Sequence, residues 1–263
     1  MAVTVDDCLA AIEHHTRGLA AAAGGNLDAR VEHCPEWSVA DLVHHLTEVH
    51  GFWNHVAATR PTEPPQDRPE PARVPDAELI PTLLAGMETL VATLRAADQQ
   101  ARCWTWGLEE SVWFITRHQV QEAAVHHWDA ANATGHDWFI DADVALDAVD
   151  EFLTHSVANL RWPNPAAASL GGTIWFCPCF SDSERRPSWH ITDGDIPGTL
   201  AVSSYEGRSP DIDGPADGDH VNAGQLLLWL YRRHTDEQIN SGSAPSGTAR
   251  PLYERFRAFT NTD

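Results

Sequence analysis

The sequence contains no lysine, and all 17 of its basic residues are arginines. This absence excludes a Schiff-base lysine and the lysine of a phosphate-binding P-loop. The sequence also lacks the glycine patterns G-x-G-x-x-G and G-x-S-x-G, so nothing in it indicates a dinucleotide site or a serine hydrolase.

The chain has few positive charges: it contains 17 basic and 38 acidic residues, and its formal net charge is −21. Such a chain repels phosphate backbones and anionic lipid, so we expect neither a nucleic-acid nor a membrane partner. Apolar runs of about 20 residues are missing, and the N-terminus lacks a charged-then-apolar signal. We therefore expect a soluble, cytoplasmic protein of undetermined oligomeric state.

Cysteines are few, odd in number and scattered, which argues against a disulfide framework. Two of them form the triplet Cys177-Pro178-Cys179, which suggests either a redox or metal pair or a structural role. One intervening residue does not give CxxC geometry, so we favour the structural role. The five cysteines are Cys8, Cys34, Cys103, Cys177 and Cys179.

Helical periodicity dominates the first part of the chain and predicts four long helices, over residues 6–23, 38–58, 76–94 and 110–133. Ser38 and Asp41 match a capping box that opens the second helix, and Asp76 is the predicted cap of the third. A proline-rich segment, residues 60–75, is a predicted connecting loop. Four such helices predict a four-helix bundle, a fold that builds metal and cofactor sites from facing helices.

The later part of the chain changes in pattern. We predict a fifth helix over 141–159, strands over 173–177, 189–192 and 199–202, and helices over 221–233 and 252–259. The fold class is therefore α+β. We predict two domains: a metal-binding helical bundle, residues 1–164, and a smaller C-terminal α/β domain, residues 165–263.

The most informative motif for function lies in the fourth helix, where Glu122 and His126 stand one turn apart on one face. A carboxylate and an imidazole at this spacing can hold a metal ion, although the same spacing also occurs in ion pairs on solvated helix faces. His118 and Asp129 fall near the same stripe. His118 is a candidate fourth ligand or outer partner, and Asp129 either orients a ligand or caps the helix.

His45, in the second helix, can complete this set with a second nitrogen. Three protein ligands leave a coordination position for water or substrate, an arrangement typical of catalytic rather than structural zinc. The doublets His44-His45 and His126-His127 leave the register open, and the four-residue spacing from Glu122 favours His126 over His127.

The stretch from Cys34 to Leu46 and the stretch from Glu122 to Asp129 resemble the mycothiol-dependent maleylpyruvate isomerase family, within the wider DinB-like superfamily. The resemblance implies that His45, Glu122 and His126 bind a catalytic Zn²⁺ or another divalent metal. It also implies mycothiol, a low-molecular-weight thiol, as cofactor or co-substrate. The expected reaction is a cis-trans isomerisation or a thiol S-transfer on a small electrophile.

The segment from Ala223 to Arg232 resembles the family helix that carries an active-site arginine, which implies a catalytic role for Arg232, with Arg233 as the neighbouring register. The alternative function is a DinB-like metal-binding protein without catalytic turnover.

The remaining histidines are expected to be structural or exposed. We predict that His14 and His15 lie on a solvated helix face and that His50 and His55 lie at the surface or edge of the bundle.

Overall fold

The computed structural model describes residues 3–66, 72–158, 163–176, 187–206, 222–235, 238 and 250–260. By compactness the chain forms two units, residues 1–144 and 145–263. The predicted domain boundary after residue 164 stays a prediction. Cys177 and Cys179 lie outside the described residues, as do residues 67–71 of the predicted proline-rich loop.

The first two helices begin where their capping residues indicate. Helix α1 spans Val5–Ala23 and α2 spans Val39–Thr59. Ser38 caps α2 in the predicted way: its hydroxyl accepts the amide of Asp41, and the Asp41 carboxylate accepts the amide of Ser38 at 2.8 Å. This reciprocal pair satisfies two amides at the helix start. It fixes the beginning of the helix that carries His45.

The third helix, α3, spans Asp76–Ala96, and the prediction that Asp76 caps it is wrong. Pro75 occupies the cap position, since proline suits the entry to a helix and lacks the amide that would need a partner. Within the described residues, only α3 is long and apolar enough to cross a membrane by length and composition. A core helix passes the same test, and the apolar residues of α3 that are buried are Leu79, Leu83, Met87, Leu90, Val91 and Leu94.

The fourth helix, α4, spans Val112–Thr134 and is the most buried of the four. Ser111 caps its start, and Gly135 ends it with φ 71°, a left-handed conformation that glycine adopts without steric cost. Helix α4 packs against α1 and α2, and α3 packs against the same two helices. The predicted four-helix bundle is confirmed, with its site-bearing helix in the interior.

The helix that follows the bundle is shorter than predicted. Helix α5 spans Ala142–Glu151, and a π-helix, Phe152–Val157, continues it. The sequence predicted one α-helix here because its apolar positions keep helical spacing. Trp189 donates its indole N–H to Asp150 at 2.9 Å, which fastens the end of α5 to the sheet of the same unit.

That sheet has three antiparallel strands in the order β1-β2-β3: Ile174–Phe176, Pro187–Asp193 and Leu200–Glu206. Ile191 pairs with Ile174 on one side and with Val202 on the other. Helices α6, Ala223–Leu230, and α7, Arg250–Arg257, bring Trp229 and Phe256 into parallel stacking at 5.8 Å. The predicted α+β class is confirmed.

Candidate metal centre

The structure brings together the three residues that the sequence singled out as metal ligands. His45 from α2 and Glu122 and His126 from α4 each offer one ligand atom, and these atoms all lie within 4.8 Å of one another. His126 is buried, whereas His45 and Glu122 keep partial access to solvent. Two imidazole nitrogens and one carboxylate oxygen form a donor set suited to Zn²⁺, and the partial access leaves room for a further ligand.

Asp129 lies behind His126 and selects which ring nitrogen faces the centre. The Nδ1 of His126 is 3.1 Å from a carboxylate oxygen of Asp129, which is 1% exposed. With Nδ1–H donating to this carboxylate, the lone pair of Nε2 points away from it and is available to an ion. This is the orienting role anticipated for Asp129, and the structure supports it over the capping role.

Glu122 is held from both sides by histidines of its own helix. His118 Nε2 lies 3.2 Å from one carboxylate oxygen, and His126 Nε2 lies 3.6 Å from the other. The spacing 118, 122, 126 places all three on one stripe of α4. His118 therefore contacts the candidate ligand Glu122, while the compact ligand cluster contains His45 and not His118.

Aromatic rings enclose His118 and keep water from the side of Glu122 that it contacts. Phe114 stacks on the imidazole at 5.5 Å, and Trp53 and Trp106 meet it edge-on at 5.5 and 5.1 Å. At the other side of the centre, Trp37 lies 4.7 Å from the ring of His45. Apolar walls of this kind strengthen electrostatic interactions in the site.

The electrostatics of the centre favour ionised ligands. Burial alone would raise the pKa of the Glu122 carboxyl, but hydrogen bonds and positive charge from His118 and His126 hold it well below its usual range. Burial lowers the pKa of His126, yet Asp129 and Glu122 raise it overall to about 9. Without an ion, His126 therefore carries a positive charge between the two carboxylates and offsets part of their negative charge.

The layer of the bundle next to the centre is a polar bridge between three helices. His50, fully buried, contacts Gln119 Oε1 through Nδ1 at 2.8 Å and Thr16 Oγ1 through Nε2 at 3.1 Å. The prediction that His50 lies at the surface or edge of the bundle is wrong, because its two nitrogens have polar partners inside. Burial lowers the pKa of His50 to about 4.

His127, the alternative member of the doublet, points away from the triad toward α1. Its Nδ1 lies 3.1 Å from Nδ1 of His15, and the two side chains belong to residues that are 7% and 2% exposed. The prediction that His14 and His15 share a solvated face is therefore wrong for His15. Contacts between residues 112 apart in sequence leave no local signal.

Arg232 lies just beyond α6 rather than within the helix where the sequence placed it. It has φ 62°, a left-handed conformation that is uncommon outside glycine. Its amide bonds to Trp229 O at 3.0 Å, and the amide of Arg233 bonds to Leu228 O at 2.8 Å. These two bonds form a Schellman cap, in which Arg232 takes the position that glycine usually occupies.

The guanidinium of Arg232 donates to two backbone carbonyls near the end of the chain, Arg257 O at 2.8 Å and Thr260 O at 2.5 Å. Arg233 is 4% exposed and donates to Tyr231 O. Arg232 is the exposed member of the pair, so its guanidinium is the more accessible to a solute.

Two of the described cysteines, Cys8 and Cys103, are buried and so poorly placed to act as nucleophiles. Cys34 is partly buried. Burial, with Glu110 nearby, raises the pKa of Cys103 to about 11, so this thiol stays protonated at neutral pH. Cys103 is therefore not an activated thiol.

Comparison with known proteins bears on the helical unit. Residues 8–131 match the family described as the mycothiol maleylpyruvate isomerase N-terminal domain. The match contains the triad and the helices that position it. No curated protein and no solved structure matches the chain. Residues 8–131, slightly less than half of the chain, are thus similar to the mycothiol maleylpyruvate isomerase N-terminal domain family.

Proposed function

We propose that this protein is a cytoplasmic, zinc-dependent enzyme that uses mycothiol to isomerise a small electrophile or to transfer the thiol to it. The observation that carries the proposal is the clustering of His45, Glu122 and His126, with ligand atoms within 4.8 Å, inside the part of the chain that matches the family. The partners are therefore a low-molecular-weight thiol and a small electrophilic molecule.

The donor set fits Zn²⁺ in three respects. It combines two imidazoles with a carboxylate, which is a common set at catalytic zinc. Asp129 orients the His126 ring, and His118 supports Glu122, so two of the three ligands are held in place by neighbouring side chains. His45 and Glu122 are only partly buried, which allows a solute to reach the centre.

Zinc in an open site lowers the pKa of a thiol that binds to it, so that thiolate is abundant near pH 7. The chain itself orients the ligand side chains and shields them from water. Trp37 beside His45 and the rings around His118 exclude water from two sides of the ligands. The high pKa of Cys103 is consistent with a thiol supplied from solution.

The two reactions differ only after the first bond forms. In both, the sulfur adds to an electrophilic carbon. In an isomerisation the cis double bond becomes a single bond, rotates, and re-forms as trans when the sulfur leaves. In a transfer the carbon–sulfur bond persists and a proton completes the product. We propose either outcome for this centre, since both need the same ligands.

Arg232 is proposed as the catalytic arginine, on the resemblance of its segment to the family's helix. A guanidinium offers a planar pair of N–H donors to a carboxylate of substrate or thiol. The exposure of Arg232 supports this proposal, because an exposed residue can meet a solute.

The direct test incubates the zinc-loaded protein with mycothiol and a panel of electrophiles that includes maleylpyruvate, with mass spectrometry of isomers and adducts. We expect thiol-dependent product from the wild type and about one zinc held by the triad per chain. His45→Ala and His126→Ala should lose both. The matched control is His44→Ala, which removes the neighbouring imidazole that pairs with Glu48 at 3.6 Å. Zinc binding without any product would contradict the enzymatic proposal and favour a metal-binding protein.

Arg232 needs a variant that separates chemistry from folding. Glycine adopts φ 62° without cost, so Arg232→Gly removes the guanidinium and relieves the backbone. We expect the triad to keep its zinc while thiol-dependent turnover falls. Thermal unfolding of the same variant controls for the lost bonds to Arg257 and Thr260. Full activity in Arg232→Gly would remove Arg232 from the proposal.

A further inference from the structure

A second group of histidines lies between α1 and α4, about 100° around α4 from His126. His15 and His127 place their Nδ1 atoms 3.1 Å apart. Two nitrogens bound to one ion at 2.0–2.1 Å are about 2.9 Å apart at a right angle and about 3.4 Å apart at a tetrahedral angle. The observed separation therefore falls within the range that two imidazoles span when they share one ion.

Gly18 makes space for this arrangement. A Cβ added at position 18 would lie 2.2 Å from Cε1 and 2.4 Å from Nε2 of His127, so any other residue would displace the ring. A glycine inside a helix costs roughly 1 kcal/mol relative to alanine. Gly18 is thus unfavourable for the helix itself, but it lets the imidazole of His127 pack directly against the backbone of α1.

A third imidazole stands at the rim. His14 is exposed, and its ring centroid lies 4.9 Å from that of His15 and 6.2 Å from that of His127. Trp138 covers the other side of His15 at 6.5 Å. An indole therefore lies on one side of the pair, and the exposed imidazole of His14 lies on another.

The chemistry of the cluster differs from that of the triad. Burial and the neighbouring rings of His127 and His14 lower the pKa of His15 to about 3, so it is neutral at pH 7. Neutral imidazoles are ligands for Cu²⁺, Ni²⁺ and Zn²⁺, whereas Mg²⁺ and Ca²⁺ prefer oxygen. Either ring can move its proton to Nε2, which frees Nδ1 without release of a proton to solvent.

We propose that His15 and His127, with His14 at the rim, form a second metal site that binds a borderline transition-metal ion such as Cu²⁺ or Zn²⁺. The site uses nitrogen donors only and has no residue in common with the triad. It does not depend on the proposed enzymatic function.

The test uses the full chain carrying His45→Ala and Glu122→Gln, which leaves His126 as the only residue of the triad. After removal of metal with a chelator, we expect this background to bind one Cu²⁺ in a calorimetric titration. The Cu²⁺ signal in electron paramagnetic resonance should show coupling to more than one imidazole nitrogen. Adding His15→Gln should abolish this binding. His136→Gln, which removes an exposed histidine of the same unit, is the matched control and should leave it unchanged.

Two further variants keep the test decisive if His15→Gln fails to fold. Gly18→Ala displaces the His127 ring without removing a histidine, and we expect it to lose the Cu²⁺ equivalent. His14→Ala alters an exposed side chain, so the fold should remain, and we expect Cu²⁺ affinity to fall about 10-fold, as typically follows loss of a supporting residue at a metal site. If the background binds no Cu²⁺, or if Gly18→Ala and His14→Ala bind it as tightly as the background, the contact is a plain hydrogen bond and the proposal is wrong.

Discussion

His126 and His127 are neighbours on one helix, yet their surroundings give them different charge states at neutral pH. His126 faces Asp129 and Glu122, which raise its pKa to about 9. Burial, with His14 nearby, lowers the pKa of His127 to about 4. A rotation of about 100° around α4 therefore separates a cationic imidazole from a neutral one. The difference shows that the nearest carboxylate, rather than burial, decides the charge of a core histidine here.

We call the side of α4 with Glu122, His126 and Asp129 the acidic face, and the side where His127 meets His15 the neutral face. The two faces also differ in which helices supply their residues. The acidic face uses residues three and four apart on α4, so the helix itself positions them. The neutral face needs α1 to supply His15 and Gly18. Disturbing the packing of α1 should therefore alter the neutral face first and leave the acidic face in place.

The largest expected effect is a fall in the free energy of unfolding at acidic pH, caused by His15 on the neutral face. The folded-state pKa of His15 is about 3, below its ordinary value of 6.5, so the unfolded chain binds the extra proton first. The stabilising contribution is complete above pH 6.5 and is lost as the pH falls toward 3. Between pH 7 and pH 4 the metal-free wild type should lose on the order of 3 kcal/mol through this residue.

The measurement is the free energy of unfolding by urea in the presence of a chelator, at several pH values. His15→Gln cannot take up this proton, so its unfolding free energy should fall less steeply over the same range. Parallel pH profiles for wild type and variant would show that His15 titrates normally in the folded state.

A smaller effect is expected from the acidic face when Asp129 is replaced. Asp129→Asn keeps the shape of the side chain but removes the charge that holds His126 Nδ1–H. Zinc affinity of the triad should fall roughly 10- to 100-fold, which corresponds to about 1.4–2.7 kcal/mol. Competition with a zinc chelator gives the affinity directly. Cu²⁺ binding at His15 and His127 should not change, and a loss at both faces would show that the two are not independent.

The smallest effect concerns the start of α2, which positions His45 but contacts neither histidine face. Ser38→Ala removes one half of the capping box and should lower the free energy of unfolding by about 1 kcal/mol. Circular dichroism during denaturation measures this change. Zinc and Cu²⁺ affinities should stay at wild-type values, so a changed metal affinity would mean that the helix start is coupled to one of the faces.

The acidic face was largely predictable from the sequence, and the neutral face was not. Glu122, His126 and Asp129 are close in sequence, so helical geometry alone places them together, and the resemblance to a family added His45. His15 was predicted to be exposed because its partner His127 is distant in sequence and because the space left by Gly18 is visible only in three dimensions. His50 was misplaced for the same reason, since Thr16 and Gln119 come from two other helices.

The sequence predicted helix ends well where a residue with a clear capping preference was present. Ser38, Ser111 and Gly135 end or begin helices through their own side chains or backbone freedom. The end of α6 was predicted too late, because a Schellman cap with arginine in place of glycine gives no sequence signal at Arg232. The metal-ligand and catalytic roles of the site residues stay predictions that the proposed variants test.

The π-helix after α5 affects how related sequences should be compared with this one. Its wider turn shifts the positions within Phe152–Val157 relative to a continuous α-helix, as though one residue had been inserted. An alignment that runs without a gap through residues 152–157 would therefore equate positions of this segment with positions about 100° away on the regular helix of a relative. A single-residue gap placed in that segment would restore the correspondence, and its presence or absence would sort relatives by whether they share this turn.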